Sequence, residues 1–200
     1  MHYFAYANEV LRGEEVDLRD IAESVGTPCY VYSHRTLLQH AHVLDAAWGE
    51  REHLTCYSVK ACSNIAILRL FAQMGLGADI VSGGELYRAL LAGFPPDKIV
   101  YSGVGKTTEE MREALRAGIF CFNVESEAEL VELNRVAQRE YRRARISLRI
   151  NPEIDPKTHP KTATGLKTAK FGVPHSRAVE TYRRASELEW LEVIGIDAHI

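Results

Sequence analysis

Lys60, in the stretch CYSVKACSN, is the residue whose type and place most clearly ask for chemistry. It closes a strand-like run, HLTCYSV at 53–59, just before a helix begins. In parallel α/β proteins function gathers at the C-terminal ends of strands. A partly desolvated lysine there can attack an aldehyde carbon and form a Schiff base. The plainer alternative is an exposed lysine at a turn. A second lysine, Lys106 in SGVGKT at 102–107, suggests the end of a phosphate-binding loop. That pattern needs a glycine five positions before Gly105, where Val100 stands, so the segment reads as an ordinary strand-to-helix turn. Asp79 with Ser82 beside it, Arg149 and His199 are expected at the same strand ends as Lys60. Singly they read as a satisfied carboxylate, an ion-pair partner and a core histidine. Together with the lysine they form a constellation on four strands that argues for a site.

The elements that must position them repeat one grammar from about residue 53: apolar strand, polar turn, amphipathic helix, glycine, strand. Strands are expected at 53–60, 76–82, 98–103, 119–125, 145–151 and 193–200. Between them Ile65, Leu68, Phe71 and Met74 fall at helical spacing, as do Leu86, Ala89 and Leu90, and later Met111, Ala114 and Leu115. Gly75, Gly93 and Gly118 read as C-terminal stops, and Thr107 with Glu110 and Ser126 with Glu129 read as capping boxes. The first four strand ends, Lys60, Ser82, Gly103 and Glu125, fall 22, 21 and 22 residues apart, room for a helical crossover between parallel strands. The first turn, KACSN, is not the glycine-rich phosphate turn of an open doubly wound sheet. The expectation is therefore an α/β (β/α)8 TIM-type barrel, incomplete here, with about six of its eight strands. Residues 1–30 stand apart as a lead-in with a small helix at 18–25, and 31–200 form the partial barrel. The segment 151–174, rich in proline and lysine, is expected to be a lid over the site, with a plain excursion on the rim as the alternative.

Composition excludes several other classes. A formal charge of -3 gives no basic field for nucleic acid, and the arginines at 139, 142, 143 and 145 suit a helix C-terminus. The 4 cysteines contain no C-x-x-C pair, which argues against both a zinc site and a disulfide framework. No apolar run reaches the ~18 to 20 residues of a membrane span, and MHYFAYANEV lacks the marks of a signal peptide, so the expected location is the cytoplasm.

YSVKA at 57–61, DIVSGGEL at 79–86, YSGVGKT at 101–107, FNVESEAEL at 122–130, SLRINP at 147–152, KTHP at 157–160, TGLKTAKFG at 164–172 and the terminal GIDAHI closely resemble the diaminopimelate decarboxylases. The resemblance runs in order over nearly the whole chain, HYFAY and GTPCYVYS included. It implies a barrel of the kind shared by ornithine and arginine decarboxylases and alanine racemase, with pyridoxal 5'-phosphate as cofactor. By the same likeness Lys60 is the lysine that carries the cofactor, and His199 lies against its ring. Asp79 sits near that lysine, and Arg149 approaches the ring's phenolic oxygen. Ser82 and Tyr57 are weaker cofactor-binding candidates, Lys60 and His199 are the catalytic pair, and no metal is implied. The implied reaction converts meso-2,6-diaminopimelate to L-lysine and carbon dioxide in lysine synthesis, in a cytoplasmic homodimer.

The sequence stops at Ile200, inside the family's H-I-G-S motif. The remaining strands, the phosphate loop and the C-terminal β-domain of the family are absent. The expectation is that these residues are the front portion of a longer enzyme, poorly soluble and inactive alone. The rival readings are a decarboxylase of the same group acting on arginine, ornithine or carboxynorspermidine, and a non-catalytic barrel that binds the cofactor.

Overall fold

The computed structural model describes residues 2–155, 157 and 171–199. It divides into two compact units, Met1–His53 and Leu54–Ile200. In the first, β1 (Phe4–Ala7), β2 (Val10–Gly13) and β3 (Val16–Asp17) form an antiparallel meander. Asn8 and Glu9, at φ 51 and 62, make the tight turn between β1 and β2, a twist that suits a two-residue hairpin. Asp17 caps α1 (Leu18–Val25) by accepting the Arg19 N–H at 2.8 Å, and Ser33 caps α2 (His34–Trp48) through the Thr36 N–H at 3.1 Å. The first unit does not stop at residue 30. The Glu14 carboxylate accepts the Ser33 hydroxyl at 2.7 Å and the Arg35 N–H at 2.8 Å, binding the start of α2 to the meander. Nothing in the periodicity singled out α2 or these short, mostly exposed strands.

The second unit is an α/β fold on a parallel sheet of order β10-β8-β7-β6-β5-β4, with β9 pairing β8. The strands are β4 (Cys56–Ser58), β5 (Gly77–Ile80), β6 (Ile99–Tyr101), β7 (Cys121–Val124), β8 (Ala144–Asn151), β9 (Val173–Pro174) and β10 (Leu191–Asp197). Between them run α3 (Ile65–Gln73), α4 (Gly83–Ala92), α5 (Thr108–Ala117), α6 (Glu127–Glu140) and α7 (Ala178–Ser186). Most strands are shorter than the patterns suggested. Lys60 lies in a 3-10 turn, Val59–Ala61, and not on a strand, while Ser82, Gly103 and Glu125 belong to turns. His199 follows β10 by two residues.

Period-two alternation gives the sheet two different faces. Ala78, Ile80, Ile99, Tyr101, Phe122, Val124, Ile146 and Leu148 are buried, together with Leu68, Leu86, Met111, Leu130 and Leu133 of the helices. Each large apolar side chain removed from water contributes about 1.5–3 kcal/mol, so this layer holds β5 to β8 against the helices. The intervening positions Ser58, Asp79, Asn123, Ser147 and Arg149 are polar. Gly77 is required by close approach, since a Cβ there would stand 2.3 Å from the Lys98 carbonyl oxygen and 2.7 Å from Cys56 Sγ.

Helix starts lock the turns that follow the strands. Thr107 and Glu110 make the expected reciprocal capping box, and Gly93 and Gly118 end α4 and α5 in the left-handed region, at φ 99 and 77. At Ser126 only half of the expected box forms. Ser126 accepts the Glu129 N–H at 3.2 Å, but the Glu129 carboxylate turns to the Glu125 N–H at 3.0 Å and to Lys106 at 2.7 Å. The expected lid at 151–174 falls mainly on 156 and 158–170, outside the described residues.

Candidate active site

A cavity of about 500 Å³ lies at the C-terminal ends of the parallel strands, within the size range of small-molecule sites. Lys60, Asp79, Arg149 and His199, contributed by the ends of four strands, all line it. Lys60 and His199 are exposed there, so an amine and an imidazole are accessible from solvent. The other two sequence candidates lie outside the lining. Ser82 is the N-cap of α4, its hydroxyl oxygen accepting the Glu85 N–H at 3.2 Å. Tyr57 faces the helix layer, its ring centroid 4.5 Å from that of Phe71 and its hydroxyl donating to the Cys62 carbonyl at 3.3 Å.

Asp79 ends a hydrogen-bonded row that crosses the sheet. The Ser147 hydroxyl donates to Asn123 Oδ1 at 2.6 Å, and Asn123 Nδ2–H donates to Ser102 Oγ at 3.0 Å. The Ser102 hydroxyl then donates to Asp79 Oδ1 at 2.6 Å, and the Ser58 hydroxyl donates to Oδ2 at 3.1 Å. The strand register sets this up, since Ser58 is opposite Asp79 and Asn123 opposite Ser147. Every donor in the row points towards the carboxylate, which fixes its plane in the cavity wall.

Arg149 has its own enclosure. Its Nη1–H donates to Glu125 Oε1 at 3.0 Å, its Nε stands 4.0 Å from Asp197 Oδ2, and its Cζ lies 5.0 Å from the centroid of the Phe171 ring. The side chains of Arg149 and Glu125 are only 10% and 2% exposed, so their charges can be kept there only as a pair. Burial pushes the Asp197 carboxyl up from its ordinary value, and the Arg149 guanidinium partly opposes this. The turn at Gly103, at φ 100, lets its N–H donate to Glu125 Oε1 at 2.9 Å.

Lys106 is not part of the cavity lining. Its side chain is 0% exposed, and its ammonium donates to Gly103 O at 2.7 Å, Asn123 O at 2.8 Å and Glu129 Oε1 at 2.7 Å. With three acceptors it ties the turn after β6 to the end of β7. Two of the cysteines are poor nucleophiles: burial pushes the Cys56 thiol up to about 11 and that of Cys121 to about 12, so both are thiols near neutrality.

Sequence reasoning passed over Glu125, Asp197, Ser102 and Asn123. Their one available signal was position, at or just beyond strand ends and in register with Asp79 and Arg149. In sequence Glu125 continues the apolar run of β7, and Asp197 stands two residues before His199.

Comparison with known proteins agrees with this layout. Residues 35–200 match the family model described as "Pyridoxal-dependent decarboxylase, pyridoxal binding domain". The chain is 53% identical to the diaminopimelate decarboxylase of Vibrio cholerae, over 100% of this chain and 48% of that protein. Among solved structures, the diaminopimelate decarboxylase of M. jannaschii in complex with L-lysine superposes with a TM-score of 0.89 at 38% identity, covering 98% of this chain and 47% of that one. The Helicobacter pylori enzyme complexed with L-lysine gives 0.88 at 43% identity, over 92% and 47%. The chain thus spans about half the length of the curated relatives it matches. A lysine, an arginine and a histidine gathered at the strand ends of a parallel α/β sheet, in a sequence that matches this model over most of its length, place the chain in the family of pyridoxal-dependent decarboxylases.

Proposed function

We propose that the whole protein to which this chain belongs decarboxylates meso-2,6-diaminopimelate to L-lysine and carbon dioxide. We propose also that the sheet of the second unit is a sector of a (β/α)8 barrel, acting as a cytoplasmic homodimer. The observation that carries the reading is the convergence of Lys60, Asp79, Arg149 and His199 on one cavity, each from a different strand end. The identity to diaminopimelate decarboxylases over the whole chain supports the choice of substrate.

The donor set fits pyridoxal 5'-phosphate. Lys60 offers an exposed primary amine for an aldehyde carbon, the Arg149 guanidinium a fixed cation for an anionic ring oxygen, and His199 a flat ring for stacking. When bound, the cofactor supplies an electron sink for the pair left on the α-carbon as carbon dioxide departs. The protein's own residues do the rest. Lys60 Nζ holds the cofactor, and Asp79, held by Ser58 and Ser102, presents a fixed carboxylate to the same cavity. Arg149 orients, Phe171 and Val81 exclude water from part of the wall, and His199 limits movement of the ring. Tyr57 and Ser82 act from behind this layer, by packing on α3 and capping α4.

The test is carbon dioxide release by the purified whole protein, loaded with cofactor, from meso-diaminopimelate, arginine and ornithine in parallel. The expected result is stoichiometric L-lysine and carbon dioxide from the first alone, with Lys60→Ala slower by more than about a thousandfold. Faster turnover of arginine or ornithine would assign a different decarboxylase. Cofactor binding with no carbon dioxide from any substrate would assign a non-catalytic role.

A further inference from the structure

In the proposed reaction Arg149 has a task and Glu125 has none. Two carboxylates flank the guanidinium, one from each side of β8: Glu125 follows β7, and Asp197 is opposite Arg149 in the register of β10. Glu125 is the one that forms the hydrogen bond, at 3.0 Å, while Asp197 stands off at 4.0 Å. The difference comes from how Glu125 is held. Its N–H is fixed by Glu129 at 3.0 Å, and its Oε1 accepts from Gly103 N–H. Lys106 bonds the carbonyls of Gly103 and Asn123 on either side. Oε1 thus takes two donors while the buried Oε2 has no partner among the described residues, an expensive arrangement for a carboxylate 2% exposed.

We propose that Glu125 is a positioning residue that fixes where in the cofactor cavity the Arg149 guanidinium stands, against the competing pull of Asp197, which lines the same cavity. The inference rests on the cavity being the pyridoxal phosphate site and not on which amino acid is decarboxylated. In Glu125→Gln the amide keeps the size and can still accept from Gly103, but its charge is gone. Asp197 is then the nearest carboxylate to Arg149, and the guanidinium swings to it. Cofactor affinity falls because the cation has left its place, with Arg149 itself still present.

The test is a double-mutant cycle on the whole apoprotein, titrated with pyridoxal phosphate and followed by its absorbance band. The four proteins are the parent, Glu125→Gln, Arg149→Gln and the double variant, each checked for folding by circular dichroism. Expected are an affinity loss of about tenfold for Glu125→Gln with a displaced band, and at least as large a loss for Arg149→Gln. The double variant should be no weaker than Arg149→Gln. Binding by Glu125→Gln within about twofold of the parent with an unmoved band, or losses that multiply in the double variant, overturn the proposal. If Glu125→Gln does not fold, the double is compared with Arg149→Gln: equal affinity supports the proposal and a further tenfold loss, about 1.4 kcal/mol, overturns it. If Arg149→Gln does not fold, the affinity and band of Glu125→Gln against the parent decide. A parent protein that takes up no pyridoxal phosphate refutes the assignment of the site itself.

Discussion

Two lysines, Lys60 and Lys106, lie near the same strand ends and have opposite surroundings. Lys60 is exposed on the cavity, whereas Lys106 is enclosed with three acceptors and pairs with Glu129, itself 8% exposed. The burial of an ammonium and a carboxylate together is tolerable only while both remain. Lys106→Met should therefore cost about 3–5 kcal/mol of stability, since it strands the Glu129 carboxylate. The double variant Lys106→Met with Glu129→Leu should recover much of that loss, because both charges leave together. Urea denaturation of the whole protein measures both, and equal stability of Lys106→Met and parent would show that the pair holds nothing. A change at Lys60, which strands no buried partner among the described residues, should leave the denaturation midpoint of the apoprotein nearly unchanged while removing activity.

At the scale of elements, helix starts connect one strand–helix repeat to the next. Glu110 Oε2 accepts the Thr107 N–H and hydroxyl, each at 2.9 Å, and Oε1 accepts the Gly83 N–H of α4 at 2.8 Å. Burial alone would raise this carboxyl, but the N–H donors of Gly83 and Thr107 outweigh it and hold the group below its ordinary 4.5. Between those two values the unfolded chain binds the proton and the folded one does not, so stability rises with pH. The contribution is fully present above 4.5 and is lost as pH falls through the folded value. Glu110→Gln should cost about 1.5–3 kcal/mol at neutral pH, and melting temperatures should converge with the parent's as the medium becomes more acid than 4.5. A gap that persists unchanged in acid would mean that charge is not what Glu110 contributes. The repeats themselves were legible because a period of two and a period near 3.6 leave different marks, and the capping serine, threonine and asparagine residues fall where helices begin. The strand ends were not, since Lys60, Ser82 and Glu125 continue the apolar runs in sequence but turn away in space. Four residues of the cavity lining could be read from type and position. Glu125 and Asp197 could not, because the contacts that give them meaning, with Arg149, span 24 and 48 residues and leave no local pattern.

At the scale of the molecule, the sheet has an open order. Among the described residues β4 pairs only with β5, and β10 only with β8. An unpaired strand edge offers a row of backbone donors and acceptors to any other chain. Apolar groups accompany these edges: Ile196 on β10 is 69% exposed, and Leu54, just before β4, is 39% exposed. In the proposed barrel both edges would be covered by further strands, which fits relatives about twice as long. The 200 residues expressed alone should therefore associate. Sedimentation velocity should show a broad distribution heavier than a monomer, with bound hydrophobic dye above the level seen for the whole protein. A single sharp monomer peak with no dye uptake would mean that the edges are protected without further strands, and the barrel proposal would lose its support from the open sheet. Addition of pyridoxal phosphate to the isolated piece separates closure from chemistry. If Lys60 takes up the cofactor while the chain stays associated, the strand ends are formed before the sheet is closed, and closure serves to retain the ligand and not to build its lysine site.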